Sequence, residues 1–104
     1  MKRKAFKMFL YEDCAREYIA IHNPVWEVLK TTLKEHGVYN YSLFLDRSNH
    51  TLFGYVEIES EEQWQKIAET DICKKWWAYM ADMMETNDDN SPVSHTLEEV
   101  FHID

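Results

Sequence analysis

Apolar and polar positions alternate with two different periods along this chain, and the changes of period mark its elements. Between Arg3 and Tyr11, Phe6, Met8 and Leu10 alternate with Ala5, Lys7 and Phe9, the period of a strand. From about Asp13 to His36 the period lengthens to that of a helix, which ends at Gly37, a residue suited to the position just past a helix C-terminus. Pro24 interrupts this stretch. Proline lacks an amide donor and clashes with the preceding turn, so a kink or break is predicted near Asn23. Two further strands follow, Val38 to Asp46 and Thr51 to Glu59, joined through the polar turn Arg47-Ser48-Asn49-His50. Ser60-Glu61-Glu62-Gln63 has the form of a capping box and opens a short helix to about Glu69. Thr70 caps another helix, with Asp71 in its first turn. Glu85 to Ser94 is rich in turn formers, and Leu97 to Ile103 reads as a last strand.

The order is β-α-β-β-α-β, with the second helix split. It predicts an α+β, ferredoxin-like fold: one antiparallel four-stranded sheet with helices on one face. The second predicted strand is apolar on both sides, with Tyr41, Leu43 and Leu45 on one and Val38 and Phe44 on the other. Helices cover one face only. The other needs a cover, and a second copy of the same sheet is the simplest, which predicts a homodimer, a dimeric α+β barrel. With 104 residues, no internal repeat and no linker, residues 1–104 are expected to form a single domain.

The segment Asp71 to Met84, DICKKWWAYMADMM, raises a question of chemistry. On a helical wheel Ile72, Trp76, Tyr79 and Met83 make one stripe, and Cys73, Trp77, Met80 and Met84 a second beside it. The apolar arc is roughly 160° wide, more than a surface helix needs. Either it is a wide core or dimer face, or one edge of it lines a pocket. Earlier in the chain, Tyr18 and His22 are one turn apart and share a helix face that continues through Val25 or Trp26 to Leu29 and Leu33. A histidine on an apolar face is commonly a satisfied core residue. This one sits immediately before the Asn23-Pro24 break, where a small molecule can approach, and imidazole exchanges protons near neutrality.

Composition removes several alternatives. The net charge is −8, which works against phosphate backbones and anionic membranes, so neither a nucleic-acid nor a membrane partner is expected. No apolar run is long enough to span a bilayer. Cys14 and Cys73 lack any paired spacing and fit a reducing, cytoplasmic setting. The five histidines, at 22, 36, 50, 95 and 102, have no ligand spacing, so no metal is expected. The absence of a glycine-rich phosphate loop argues against a nucleotide cofactor. One motif competes. Thr51 to Ile58, TLFGYVEI, matches the RNA-binding RRM signature loosely, but lacks its basic residue, first glycine and last aromatic.

Three stretches taken together, YIAIHNPVW (Tyr18 to Trp26), KWWAYM (Lys75 to Met80) and NSPVS (Asn90 to Ser94), resemble the L-rhamnose mutarotase family. The resemblance spans the whole chain without an insertion, although Asn87-Asp88-Asp89 stands where Asn-Pro-Asp is commoner. It implies a dimeric, cytoplasmic isomerase that interconverts the α and β anomers of L-rhamnose without a cofactor. It places the proton donor on His22 and the sugar contacts on Tyr18, Tyr41, Trp76 and Trp77. On this reading His22 as imidazolium protonates the ring oxygen and takes the proton back after the opened sugar has rotated. The rival functions are a cofactor-independent monooxygenase on a similar dimeric sheet and a non-catalytic sugar-binding module.

Overall fold

Phe6, Met8 and Leu10 all turn inward from the first strand and are buried. The structure, a computed structural model, describes residues 1–104. Its elements are β1 (Lys2–Phe9), α1 (Ala15–Ile21), α2 (Glu27–Glu35), β2 (Val38–Asp46), β3 (Thr51–Ile58), α3 (Glu61–Ile67), α4 (Asp71–Met80) and β4 (His95–Leu97). The sheet order is β2-β3-β1-β4 and every pairing is antiparallel, the ferredoxin-like arrangement. One hydrophobic cluster joins the inward strand residues Phe6, Met8, Leu52, Val56 and Ile58 to Tyr18, Leu29, Ile67, Cys73, Trp76 and Met80 from the helices.

The predicted break falls where proline requires it. α1 ends at Ile21, α2 begins at Glu27, and the Asn23-Pro24 peptide between them is cis. Asn23 Nδ2 donates to the Ile19 carbonyl at 2.8 Å, a second bond to an acceptor that also takes the His22 amide at 3.2 Å. Gly37 closes α2 with φ +74°, and a Cβ there would lie 2.9 Å from Glu59 Cβ. Ser60 and Thr70 cap α3 and α4: their hydroxyls accept from the Gln63 and Cys73 amides at 3.2 and 3.3 Å. The capping box is only half formed. The Gln63 side chain accepts from the Ser60 hydroxyl instead of reaching the Ser60 amide.

Two expectations are corrected. Val38 was expected opposite Tyr41, Leu43 and Leu45, but the β2–β3 register shifts between Tyr39 and Ser42. Asn40, at φ +49°, is the extra residue of a bulge. Before it, Val38 pairs with buried Ile58. After it, Leu43 and Leu45 pair with Gly54 and Leu52. All three therefore share the helix side, and Tyr41 joins them, its ring 6.2 Å from Phe6 and 6.1 Å from Trp64 of α3. Phe44 remains on the open face, 61% exposed.

The last strand is also shorter and earlier than expected. β4 pairs only Lys7, Phe6 and Ala5 of β1 with His95, Thr96 and Leu97. Beyond Leu97 the chain forms no regular element. Val100, Phe101 and Ile103 have the apolar pattern of a strand but meet no apolar surface within the chain, and so they gain nothing from extending the ladder.

Candidate active site

α1 delivers two of the predicted site residues at its C-terminal end. Tyr18 is buried in its last turn, and His22 is the capping residue that follows. Their rings lie 4.3 Å apart. His22 Nδ1 is 2.8 Å from the Tyr18 carbonyl oxygen. A carbonyl only accepts, so Nδ1 carries the proton of the neutral imidazole and Nε2 keeps the lone pair. Burial lowers the His22 pKa below its ordinary value, and the bond to Tyr18 opposes that shift in part. The resting imidazole is therefore neutral at pH 7.

α4 brings Trp76 edge-on to this imidazole, with ring centres 5.1 Å apart and planes at 87°. On its other side Trp76 meets Trp26, from the loop after the proline, at 4.8 Å and 80°. Tyr79, one turn beyond Trp76, completes the group at 5.1 Å from Trp26 and 5.9 Å from Trp76. Edge-to-face arrangements of this kind suit the quadrupoles of aromatic rings. Tyr18, His22 and Trp76 are thus together, with Tyr41 approaching from β2. Its phenol lies close enough to help raise the Tyr18 pKa, although burial is the larger cause. Burial also raises the Tyr41 phenol, so both hydroxyls stay protonated well into alkaline solution. Tyr41 is 37% exposed as a residue, yet its hydroxyl is desolvated.

Trp77 is placed differently. It is half-buried at the margin of the core and makes no ring contact with this group. The buried line along α4 runs through Cys73, Trp76 and Met80, between the two stripes of the wheel. The Cys73 thiol is pushed up to about 11 by burial, which leaves it an inert core residue. Trp26 and Tyr79 were not singled out as site residues. The i,i+3 spacing of Trp76 and Tyr79 was the available sign; for Trp26 the choice between it and Val25 depended on the turn after the proline.

The polar tips of these rings are the distinctive feature. The Tyr18 hydroxyl, the Trp76 indole nitrogen and His22 Nε2 have no hydrogen-bond partner within the chain, yet no buried side-chain nitrogen or oxygen is left unsatisfied. Tyr18 and Trp76 are only 4% and 5% exposed. The small accessible part of each ring must therefore include its polar atom. Two donors and one proton acceptor thus lie close together among aromatic rings, without partners in the chain. Two surface openings lie elsewhere: one of about 600 Å³ along the loop Thr86–Ser91, and one of about 260 Å³ between Asp13, Arg16, Arg47 and His50. Neither includes an aromatic ring. No three His, Cys, Asp or Glu side chains converge as a metal ligand set.

A family model described as L-rhamnose mutarotase matches residues 3–103. The chain belongs to the L-rhamnose mutarotase family. L-rhamnose mutarotase of Lachnoclostridium phytofermentans is 58% identical to it over the full length of both chains. That of Pectobacterium carotovorum subsp. carotovorum is 53% identical, again over both full lengths. Among solved structures, L-rhamnose mutarotase from Formosa agariphila superposes with a TM-score of 0.92 at 42% identity, covering all of both chains. An antibiotic biosynthesis monooxygenase superposes with a TM-score of 0.65 at 12% identity over 96% of this chain and 99% of its own, a likeness of fold alone. Sequence and structure together thus favour the L-rhamnose mutarotase family over the monooxygenase and RNA-binding readings.

Proposed function

We propose that this chain interconverts the α and β anomers of L-rhamnose, with His22 moving the proton and Tyr18, Tyr41, Trp76 and Trp77 holding the sugar. Membership of the L-rhamnose mutarotase family supports the reaction. The observation that carries the site is the free Nε2 of His22, held beside Tyr18 and Trp76 by the bond from Nδ1 to the Tyr18 carbonyl.

Mutarotation opens the pyranose between the anomeric carbon and the ring oxygen, then closes it on the other face of the aldehyde. Opening removes the proton of the anomeric hydroxyl and adds one to the ring oxygen. The neutral His22 accepts the first through Nε2, while a water molecule at the open edge of the site donates the proton that the ring oxygen gains and takes one back from that oxygen on closure. By microscopic reversibility the resulting imidazolium returns a proton when the ring closes, so the donor in one direction is the acceptor in the other. Burial makes that imidazolium a stronger acid than free histidine, which speeds the return. The phenols of Tyr18 and Tyr41, kept protonated, donate hydrogen bonds to sugar oxygens. Indole walls suit the methyl group and C–H faces of a 6-deoxy sugar, and they exclude bulk water from the proton transfer.

The open sheet face supports a homodimer, since Tyr39 and Phe44 there are 47% and 61% exposed. No helix is long and apolar enough to cross a membrane, in keeping with a cytoplasmic enzyme. The deciding experiment is exchange NMR on L-rhamnose. The chain should accelerate anomer exchange catalytically, and His22→Ala should lose about 10²–10⁴-fold of that acceleration while remaining folded. Exchange as fast with His22→Ala as with the native chain would remove His22 from the reaction.

A further inference from the structure

Trp26 stands at a position that the helix it opens does not explain. It is the N-cap of α2, with φ −54° and ψ 130°, and its carbonyl accepts a bond of that helix from the Lys30 amide at 3.0 Å. Serine, threonine, asparagine and aspartate lead at such positions because their side chains accept from a free amide of the first turn. Ser60 and Thr70 supply such caps for α3 and α4. The Trp26 side chain makes no cap bond. Nothing in α2 calls for an indole there.

The ring turns instead toward α4. Its centre lies 4.8 Å from that of Trp76 with the planes at 80°, and 5.1 Å from that of Tyr79 with the planes at 40°. Trp76 in turn stands edge-on to His22 at 5.1 Å. Contact therefore runs from Trp26 to Trp76 to His22, and no ring pair joins Trp26 to the imidazole directly. Interiors are packed as densely as organic crystals, so an indole behind Trp76 fills the space into which Trp76 would otherwise swing.

The groups that face the imidazole carry no charge at neutral pH. They are the Tyr18 ring and carbonyl from α1 and the Trp76 indole from α4, with the Tyr41 phenol of β2 beyond Tyr18. No carboxylate or amine contributes to the lowered pKa of His22, which exclusion of water sets against the opposing bond to Tyr18.

We propose that Trp26 is a positioning residue for the imidazole: it backs Trp76, and Trp76 so held keeps bulk water off the face of His22 turned toward α4. The consequence for rate rests on the reading of His22 as proton carrier; the consequence for the ring itself does not. An indole at an N-cap is then explained by what it holds rather than by the helix it begins.

NMR titration of the His22 imidazole tests this on the full chain as native protein, Trp26→Ser and Trp26→Phe, with exchange NMR on L-rhamnose alongside. Trp26→Ser offers α2 the cap that it lacks, and circular dichroism checks that the variants are folded. In Trp26→Ser the His22 midpoint should rise by about half a pH unit or more, toward the ordinary 6.5. The acid limb of the rate profile should move to higher pH by the same amount. Nuclear Overhauser contacts between the Trp76 and His22 rings should weaken. Trp26→Phe keeps an aromatic ring behind Trp76 and should restore most of the native midpoint and contacts. Should Trp26→Ser fail to fold, Trp26→Leu reads the same midpoint with a smaller side chain behind Trp76. A midpoint and ring contacts unchanged in the folded serine or leucine variant would overturn the positioning role and leave His22 as proton carrier. A native chain that leaves anomer exchange at its uncatalysed rate would overturn the proton-carrier reading, and the midpoint would still decide the part played by Trp26.

Discussion

His22 Nδ1 and the carbonyl oxygen of Tyr18 are 2.8 Å apart, across one turn at the end of α1. This bond fixes both the tautomer and the aim of the imidazole, because the ring cannot turn Nε2 away without giving up its donor bond. The first prediction follows from that. His22→Gln keeps a comparable size and hydrogen-bonding capacity but exchanges no proton near neutrality. It should retain sugar binding within a few-fold and lose about 10²–10⁴-fold in the rate of anomer exchange. Saturation-transfer NMR reads both quantities in one sample, and a parallel loss of binding would assign His22 to holding the sugar.

The direction of its pKa shift gives a pH dependence. The folded value lies below the ordinary 6.5, so the neutral, proton-accepting form persists below pH 6.5. The rate above background should be flat at neutral pH and fall only as pH drops through the lowered value. The same shift has a stability consequence. Below pH 6.5 the unfolded chain binds a proton that folded His22 still refuses, so His22 makes stability fall as pH decreases until the folded value is passed. His22→Gln should flatten that part of the melting-temperature profile. On the alkaline side, the Tyr18 and Tyr41 phenols are raised, so activity should not decline before pH 10 is reached.

Trp76 and Trp77 should separate on mutation. Trp76 is 5% exposed and packed between His22 and Trp26, so Trp76→Ala should cost about 3–5 kcal/mol of stability. Trp77 is half-buried with no aromatic neighbour, so Trp77→Ala should cost less in denaturant titration and raise KM for the sugar more than it lowers kcat. A larger stability loss for Trp77 than for Trp76, with KM unchanged, would return Trp77 to the core.

Gly54 tests the packing beneath the site. A Cβ at this position would lie 2.5 Å from the Phe6 ring, which rests against β3 and touches Tyr41. Gly54→Ala should therefore cost about 1–3 kcal/mol by overpacking. Phe6→Leu should recover part of that loss in the double variant, a coupling that a double-mutant cycle measures directly.

Much of this architecture was legible because it rests on local rules. Pro24 had to end a helix, Gly37 had to follow one, and Ser60 and Thr70 had to begin one; each does so. The meeting of Tyr18 with His22 followed from their spacing, since residues four apart share a helix face. What was hidden depended on contacts between distant segments. The placement of Trp26 beside Trp76 depends on how the chain turns after Pro24. α4 stops at Met80 although its apolar pattern runs to Met84. Beyond it the Met83 carbonyl is taken by the Tyr11 amide and the Glu85 amide by the Phe9 carbonyl, bonds to the end of β1 that no periodicity reveals.

The bulge at Asn40 joins two runs of alternation that disagree by one residue. Val38 counts from the end of α2, and Tyr41, Leu43 and Leu45 count back from the hairpin; the left-handed Asn40 takes up the difference. A branched side chain there would press β2 toward uninterrupted pairing, and one of the two runs would have to change sides. Should the hairpin run be the one to flip, Tyr41 would leave the neighbourhood of Tyr18 with every reacting group still in the chain. A residue that touches no sugar thus decides whether the phenol and the imidazole face the same space.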